Sequence, residues 1–217
     1  MGMEETKIKK LYSEFGQDLF VLEMLGWKRN GFFIDSGASD GVQSSNTHLL
    51  EVSYDWKGIC IEPNEVFFEK LVKNRKCHCL NYCLYDKEDY VDFLEHGNDV
   101  GGIMEEYHPF HLHRAKASNN VQKDLYGNPK TVRKLTRTVG QVLKECNAPQ
   151  TIDYWSLDTE GSELSILKSF PFDEFSFRII TVEHNHFPVR EEIREFLEYH
   201  GYQRIRELEV DDCYIQR

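Results

Sequence analysis

Two hydrophobic periods alternate along the chain. Over 14–27, Phe15, Leu19, Leu22 and Leu25 recur at helical spacing and the pattern stops near Gly26. Next comes Gly31-Phe-Phe-Ile-Asp35, a short unbroken apolar run closing on an acid and a glycine-rich turn. Such a run suits a strand buried on both faces, as in a parallel sheet. The order then repeats. Residues 44–53 read as a helix that Ser44 or Ser45 would cap. Lys57-Gly-Ile-Cys-Ile-Glu62 reads as a strand, Pro63-Asn64 as a turn and 65–74 as a helix. Residues 77–83 supply a third strand, and 90–94 a hairpin-like addition. Strands at 152–157 and 177–182 flank a helix at 162–169. A helix at 189–200 stops at Gly201, a residue suited to a left-handed C-terminal cap. Strands at 202–206 and 212–216, joined by a short connection, form an antiparallel edge. This alternation predicts an open α/β sheet. Residues 96–137 break the pattern, lacking a clean period while carrying His96, His108, His111 and His113. Irregular stretches of that length inside a domain are usually functional or mobile.

Composition narrows the class. A chain of 217 residues suits one domain with its own core, so a single domain over 1–217 is expected, with 1–30 as an N-terminal helical segment. Apolar residues at 40% and charged residues at 29% exclude a mainly disordered chain. No apolar run approaches the roughly 20 residues of a membrane span. The opening Met1-Gly-Met-Glu-Glu-Thr-Lys has no secretory or transit pattern, and Met1-Gly-Met3 suits a domain excised from a longer protein. The six cysteines are Cys60, Cys77, Cys79, Cys83, Cys146 and Cys213. On an unbroken strand Cys77, Cys79 and Cys83 share one face, which reads as small buried hydrophobes rather than zinc ligands. A reduced, cytoplasmic protein is expected. The formal charge of −11 argues against general nucleic-acid binding.

In open α/β sheets, ligands sit beyond the carboxyl ends of the strands. Those ends read Asp35-Ser-Gly37-Ala-Ser-Asp40-Gly41, Glu62-Pro-Asn64, Asp158-Thr-Glu160-Gly161 and Glu183-His184-Asn185. Acids mark all four. A dinucleotide fingerprint fails, because Ser39 and Val42 stand where its second and third glycines belong. An acid and glycine turn followed by a second acid, Glu62, suits a nucleoside ligand without phosphate. Gly37 and Gly41 would let backbone approach it, and Glu62 would accept the ribose hydroxyls.

Phe15-Gly-Gln-Asp18, Gly31-Phe-Phe-Ile-Asp-Ser-Gly-Ala-Ser-Asp-Gly41 and Ile152-Asp-Tyr-Trp-Ser-Leu-Asp-Thr-Glu-Gly-Ser-Glu163 together resemble the FkbM family of S-adenosylmethionine-dependent methyltransferases. Glu62-Pro-Asn64 and Thr181-Val-Glu-His-Asn185 fit the same pattern. The likeness covers roughly 12–95 and 136–216, and 96–137 matches least. It implies a Rossmann-like class I methyltransferase fold: a mostly parallel seven-stranded sheet with an antiparallel edge and helices on both faces. It also implies transfer to hydroxyl oxygens, often of sugars. By match to the motifs, Asp35, Gly37, Ala38 and Gly41 would shape the methionine end of the cofactor. Glu62 and Pro63 would hold the ribose, Asn81 and Cys83 would border the adenine, and Gln17 would reach the cofactor carboxylate. Ser36 replaces a commoner small aliphatic residue.

A neutral hydroxyl needs a base or a metal to become a nucleophile. In one arrangement Asp158, Glu160, His184 or His186 takes the proton, with Glu183 beside them. In the other, Asp158, Glu183 and His184 hold Mg²⁺ or Mn²⁺, as oxygen-rich ligands favour. His108, His111 and His113 do not share one helical face and read as surface residues, or else as part of an acceptor-facing lid. Other small-molecule hydroxyls, a nitrogen acceptor and a non-catalytic cofactor-binding module remain alternatives, and the oligomeric state is not legible. The charge is unevenly spread: 106–137 holds seven Lys/Arg against two acids. That basic insertion is expected near the acceptor entrance, meeting an anionic or polar small molecule or glycan.

Overall fold

The computed structural model describes residues 10–95, 100–118, 123, 125 and 129–217. Helix α1 (Gln17–Met24) precedes β1 (Phe32–Ser36), followed by α2 (His48–Tyr54), β2 (Lys57–Ile61), α3 (Glu65–Asn74) and β3 (His78–Leu80). After an inserted unit come α5 (Val139–Glu145), β7 (Thr151–Leu157), α6 (Glu163–Ser169), β8 (Ser176–Glu183), α7 (Val189–Tyr199), β9 (Tyr202–Leu208) and β10 (Asp211–Gln216). The inserted unit holds β4 (Cys83–Leu84), β5 (Tyr90–Leu94), α4 (Pro109–Ala117) and β6 (Thr131–Arg137).

Seven strands form one sheet in the order β3-β2-β1-β7-β8-β10-β9. Strands β3, β2, β1, β7 and β8 are parallel neighbours, and β10 runs antiparallel between β8 and the outermost β9. This is the expected Rossmann-like architecture with its antiparallel edge.

Side-chain alternation along the central strands splits the core in two. Phe33, Cys60, Tyr154, Ile179 and Cys213 pack with α1, α2 and α3 through Leu22, Leu50 and Leu71. Their neighbours Ile34, Ile59, Trp155, Ile180 and Tyr214 face α5, α6 and α7 through Leu143, Leu167 and Leu197. Ser36 has a use here, since its hydroxyl accepts the buried Trp155 indole N–H at 2.9 Å.

Three expectations need correction. Residues 77–83 are not one strand: β3 ends at Leu80, and Cys83 begins β4 in a separate three-stranded sheet, β4-β6-β5. Asn81 and Tyr82 make the break, so Cys83 does not share a face with Cys77 and Cys79. Strand β5 makes the hairpin-like contact expected of it, with Phe93 bridging antiparallel to Ile103, but its longer ladder is antiparallel with β6. The stretch 96–137 is partly regular, holding α4 and β6; His96 lies outside the described residues. Among the described residues all six cysteines are free thiols, and no helix is long and apolar enough to cross a membrane.

Candidate functional site

Strand order reverses between β1 and β7, and the crevice at such a switch point is where open sheets bind ligands. The turns leaving the two strands lock together there. Asp158 N–H donates to the Ser36 carbonyl at 3.1 Å, while Gly37 and Ala38 N–H both donate to the Ile61 carbonyl (3.0 and 3.1 Å). Gly37 has φ +85°, open to glycine at little cost, and its backbone passes directly over the Asp158 carbonyl.

Glu62 spans the turns that follow β1 and β2. Its carboxylate accepts Ser39 N–H at 2.8 Å and Asn64 N–H at 2.7 Å. Burial pushes its pKa up to about 7 despite those two bonds. Asn64 in turn caps α3, accepting Val66 N–H at 3.0 Å. Beside Glu62 lies a cleft with apolar walls of Ile61, Phe67, Leu84, Phe93 and Ile103, bordered also by Pro63 and Cys83. Asn81 does not line it. Its amide donates to the Glu62 and Pro63 carbonyls (2.8 and 3.2 Å) and so braces the acid from behind.

A second, polar cleft opens on the other side of the Gly37 turn. Gln17, Asp35, Ala38, Asn46, Ser156 and Asp211 contribute to it. The Gln17 amide is already engaged: its Nε2 donates to Asp211 at 2.6 Å and its oxygen accepts Phe15 N–H at 3.0 Å. Asp35 accepts the Thr47 hydroxyl at 2.5 Å, and burial raises its pKa against the pull of Arg75. Asp211 is raised to about 6, first by burial. Asn46 donates to the Ser156 hydroxyl at 2.9 Å, and its buried carbonyl oxygen has no hydrogen-bond partner among the described residues. Gly41 stands behind the turn rather than in the cleft, packed against Leu71 and Arg75.

Arg75 was not legible as a site residue. Its fully buried guanidinium donates to the Gly41 carbonyl (3.1 Å), the Ser45 hydroxyl (3.3 Å), the Thr47 hydroxyl (2.9 Å) and the Glu51 carboxylate. The same Ser45 hydroxyl accepts His48 N–H, but α2 starts only at His48 and its N-cap is Thr47 rather than the expected Ser44 or Ser45. One cation thus ties the whole loop after β1 to the end of α3.

Asp158, Glu160 and Glu183 converge where the clefts meet, with one carboxylate oxygen from each lying within 4.8 Å of the others. Glu160 borders both clefts described above and a third, lined by His108, His111, Leu164, Phe187 and Pro188. Loss of hydration raises Asp158 and Glu183 well above the carboxylate range, and neighbouring acids push both further. Glu160 is held at φ +61°, a left-handed conformation that a non-glycine residue adopts under strain. The turn that imposes it is built by Glu163, whose carboxylate accepts Thr159 N–H (2.7 Å), Gly161 N–H (3.1 Å) and the Thr159 hydroxyl (2.9 Å).

His184 does not join this trio. It follows the last residue of β8 and lines the third cleft with Glu183, but its ring nitrogens are turned to other partners. His184 Nδ1 accepts His186 N–H at 3.0 Å, and its Nε2 lies 3.8 Å from Asp212. Its ring groups with His186 and Glu207 instead, and burial lowers its pKa to about 4. His111, read as a surface residue or else part of an acceptor-facing lid, lies in the site, with Nε2 3.4 Å from Glu160 and its ring edge-on to Tyr107. His108 stacks on Phe187 with centroids 4.1 Å apart, whereas His113 is exposed. The basic insertion is also partly neutralised. Lys130 and Lys134 pair with Glu95 and Arg137 with Glu88, leaving Arg114 of α4 as the insertion's cation at the polar cleft.

Structural comparison finds methyltransferases. A Pyrococcus horikoshii protein assigned as an RNA methyltransferase is 15% identical with a TM-score of 0.45, covering 99% of this chain and 90% of that one. Precorrin-6y C5,15-methyltransferase of Geobacter metallireducens is 13% identical with a TM-score of 0.44, covering 99% and 91%. The N-terminal domain of human METTL16 is 12% identical with a TM-score of 0.47, covering 91% and 66%. Comparison with curated proteins gives no match. The profile of the methyltransferase FkbM domain matches residues 35–204, which takes in all four acid-bearing strand ends, and the chain belongs to that family of S-adenosylmethionine-dependent methyltransferases.

Proposed function

We propose that this methyltransferase transfers its methyl group to a hydroxyl of a sugar or glycan, with Asp158, Glu160 and Glu183 at the reaction centre. The observation that carries the reading is the convergence of those three carboxylates at the junction of the clefts. The apolar cleft beside Glu62 suits an adenine ring, and the Glu62 carboxylate suits the ribose hydroxyls. The polar cleft suits the methionine end. There the acceptor-rich set of Asn46 Oδ1, Asp35 and Asp211 matches an ammonium group, with Gln17 acting through Asp211. The third cleft, under α4, receives the acceptor, and the insertion serves as its lid.

Methyl transfer from a sulfonium is an in-line displacement that consumes a positive charge and releases a proton from the hydroxyl. Holding the two partners in line supplies much of the acceleration. Three acids in one dry site cannot all ionise cheaply, so Asp158 and Glu183 retain a proton between them while facing water alone. An arriving sulfonium favours their ionised forms. Glu160, which borders all three clefts and has the His111 imidazole beside it, takes the hydroxyl proton. The same three carboxylates form an all-oxygen donor set suited to a hard divalent cation such as Mg²⁺ or Mn²⁺, which would lower the acidity barrier of a bound hydroxyl.

The test compares Asp158→Asn, Glu160→Gln and Glu183→Gln with the parent enzyme. A drop of about 10²–10⁴ in kcat for Glu160→Gln, with cofactor affinity retained, supports the reading. Unchanged kcat in Glu160→Gln overturns its role as base. Activity that survives exhaustive chelation removes the cation from the account.

A further inference from the structure

The cysteines read from sequence as inert core residues are placed for chemistry. Strands β2 and β3 pair in parallel with Cys60 opposite Cys79. Cys77, just before β3, leans back over β2 so that its sulfur lies 3.5 Å from that of Cys60. Cys79 Sγ sits 3.6 Å from the Cys77 carbonyl oxygen. Cys60 is fully buried, whereas Cys77 is half-buried and lines a surface cleft with Glu51, Lys57 and His78. The cleft lies among the first residues of β1, β2 and β3, at the opposite end of the sheet from the acid cluster.

We propose that Cys60 and Cys77 form an oxidisable dithiol, a modification site at which hydrogen peroxide makes a disulfide, and that Arg75 couples this site to the loop after β1. The arrangement separates the roles of the two thiols. Cys77 is the one a solvent-borne oxidant reaches. The Cys60 thiol and the Arg75 cation stabilise its thiolate, which holds Cys77 well below the usual thiol range, while burial pushes Cys60 up.

The Cys77 thiolate attacks one peroxide oxygen, breaking the O–O bond and forming a sulfenic acid with release of hydroxide. The Cys60 sulfur then attacks the sulfenic sulfur, the S–O bond breaks and water leaves. Overall two thiols lose two electrons and two protons, and the peroxide becomes two waters. Bonded sulfurs sit about 2.0 Å apart, so the pair closes by about 1.5 Å.

That closure pulls on groups the active-site loop depends on. Glu51 accepts both Cys77 N–H (2.9 Å) and Lys76 N–H (2.8 Å), and it holds the Arg75 guanidinium. Arg75 in turn anchors Gly41, Ser45 and Thr47. Oxidation also removes the thiolate charge facing that guanidinium. The coupling rests on the cofactor reading given above; the disulfide does not.

The experiment exposes the full chain to limiting hydrogen peroxide, blocks remaining thiols and maps non-reduced peptides by mass spectrometry. The expected product is a Cys60–Cys77 link, reversed by dithiothreitol. In Cys60→Ser the reaction should stop at a sulfenic acid on Cys77 that dimedone traps. Oxidation of Cys77 no faster than Cys146, or a link between other cysteines, overturns the dithiol. Calorimetry with S-adenosylmethionine should show about tenfold weaker binding by the oxidised than by the reduced protein. Equal, measurable binding by both forms overturns the coupling. No binding by either form contradicts the cofactor reading, while the mapped disulfide still decides the dithiol.

Discussion

A Cβ placed on Gly37 would stand 1.9 Å from the Asp158 carbonyl oxygen. Real atoms do not approach so closely, and the contact is with backbone rather than a yielding side chain. The two turns at the switch point are therefore built around an absent side chain. Gly37→Ala must part β1 from β7 or bend the turn, and it must also hold alanine at φ +85°. A loss of about 2–4 kcal/mol is expected in urea denaturation. Cofactor binding measured by calorimetry should fall at least as sharply, and a variant with parental stability and affinity would contradict the geometry described.

On the ribose role proposed for Glu62, cofactor binding should depend on pH. Its pKa rises from the ordinary 4.5 to about 7 in the folded protein. An acid raised in this way binds its proton in the folded chain while the unfolded chain has already lost it. Its contribution to stability is therefore fully present below about pH 4.5 and is lost as pH climbs to about 7, up to roughly 3 kcal/mol. Ribose binding works in the opposite sense, since the ionised carboxylate is the better acceptor. Calorimetric affinity for S-adenosylmethionine should thus rise as pH passes through about 7 and then level off. In Glu62→Gln that pH step should vanish and affinity should drop about tenfold or more. Persistence of the step in the variant would assign it to another group.

Arg114 carries the positive charge that the insertion brings to the polar cleft. Because that cleft is the one proposed for the methionine end, reversing it together with its helix neighbour in Arg114→Glu/Lys116→Glu should raise KM for S-adenosylmethionine several-fold, with the effect shrinking as salt screens it. Steady-state kinetics at two ionic strengths measures this. An unchanged KM for the cofactor would separate the charge of the insertion from the methionine end of the site.

Much of the fold was legible because its signals are local. Helix α3 occupies the residues expected after the Pro63-Asn64 turn, and the buried strands announce themselves as apolar runs ending in acids. Strand β6 carries only Val132 and Leu135 as large apolar residues among charges, and α4 is short and begins at Pro109, so neither shows a clear period. The break at Asn81 is likewise set by the separate sheet that Cys83 joins. Within the site, motif spacing locates Asp35, Glu62, Asp158 and Glu160. His184 lies just beyond β8, and its turn toward His186 and Asp212 is set by tertiary packing. Arg75, Asn46 and His111 were not legible either. Each reaches the site only through tertiary packing, and nothing local distinguishes a buried arginine or a cleft histidine from a surface one.

A transfer assay identifies the acceptor most directly. The chain is incubated with methyl-labelled S-adenosylmethionine and a panel of free sugars, nucleotide-linked sugars and glycans, beside RNA and amine acceptors, and products are read by mass spectrometry. The expected result is one labelled methyl on a sugar hydroxyl, stable to alkali as an ether is, formed by the parent chain and lost in Glu160→Gln. Label appearing only on a base or an amine, with every sugar unmodified, would contradict the proposed acceptor.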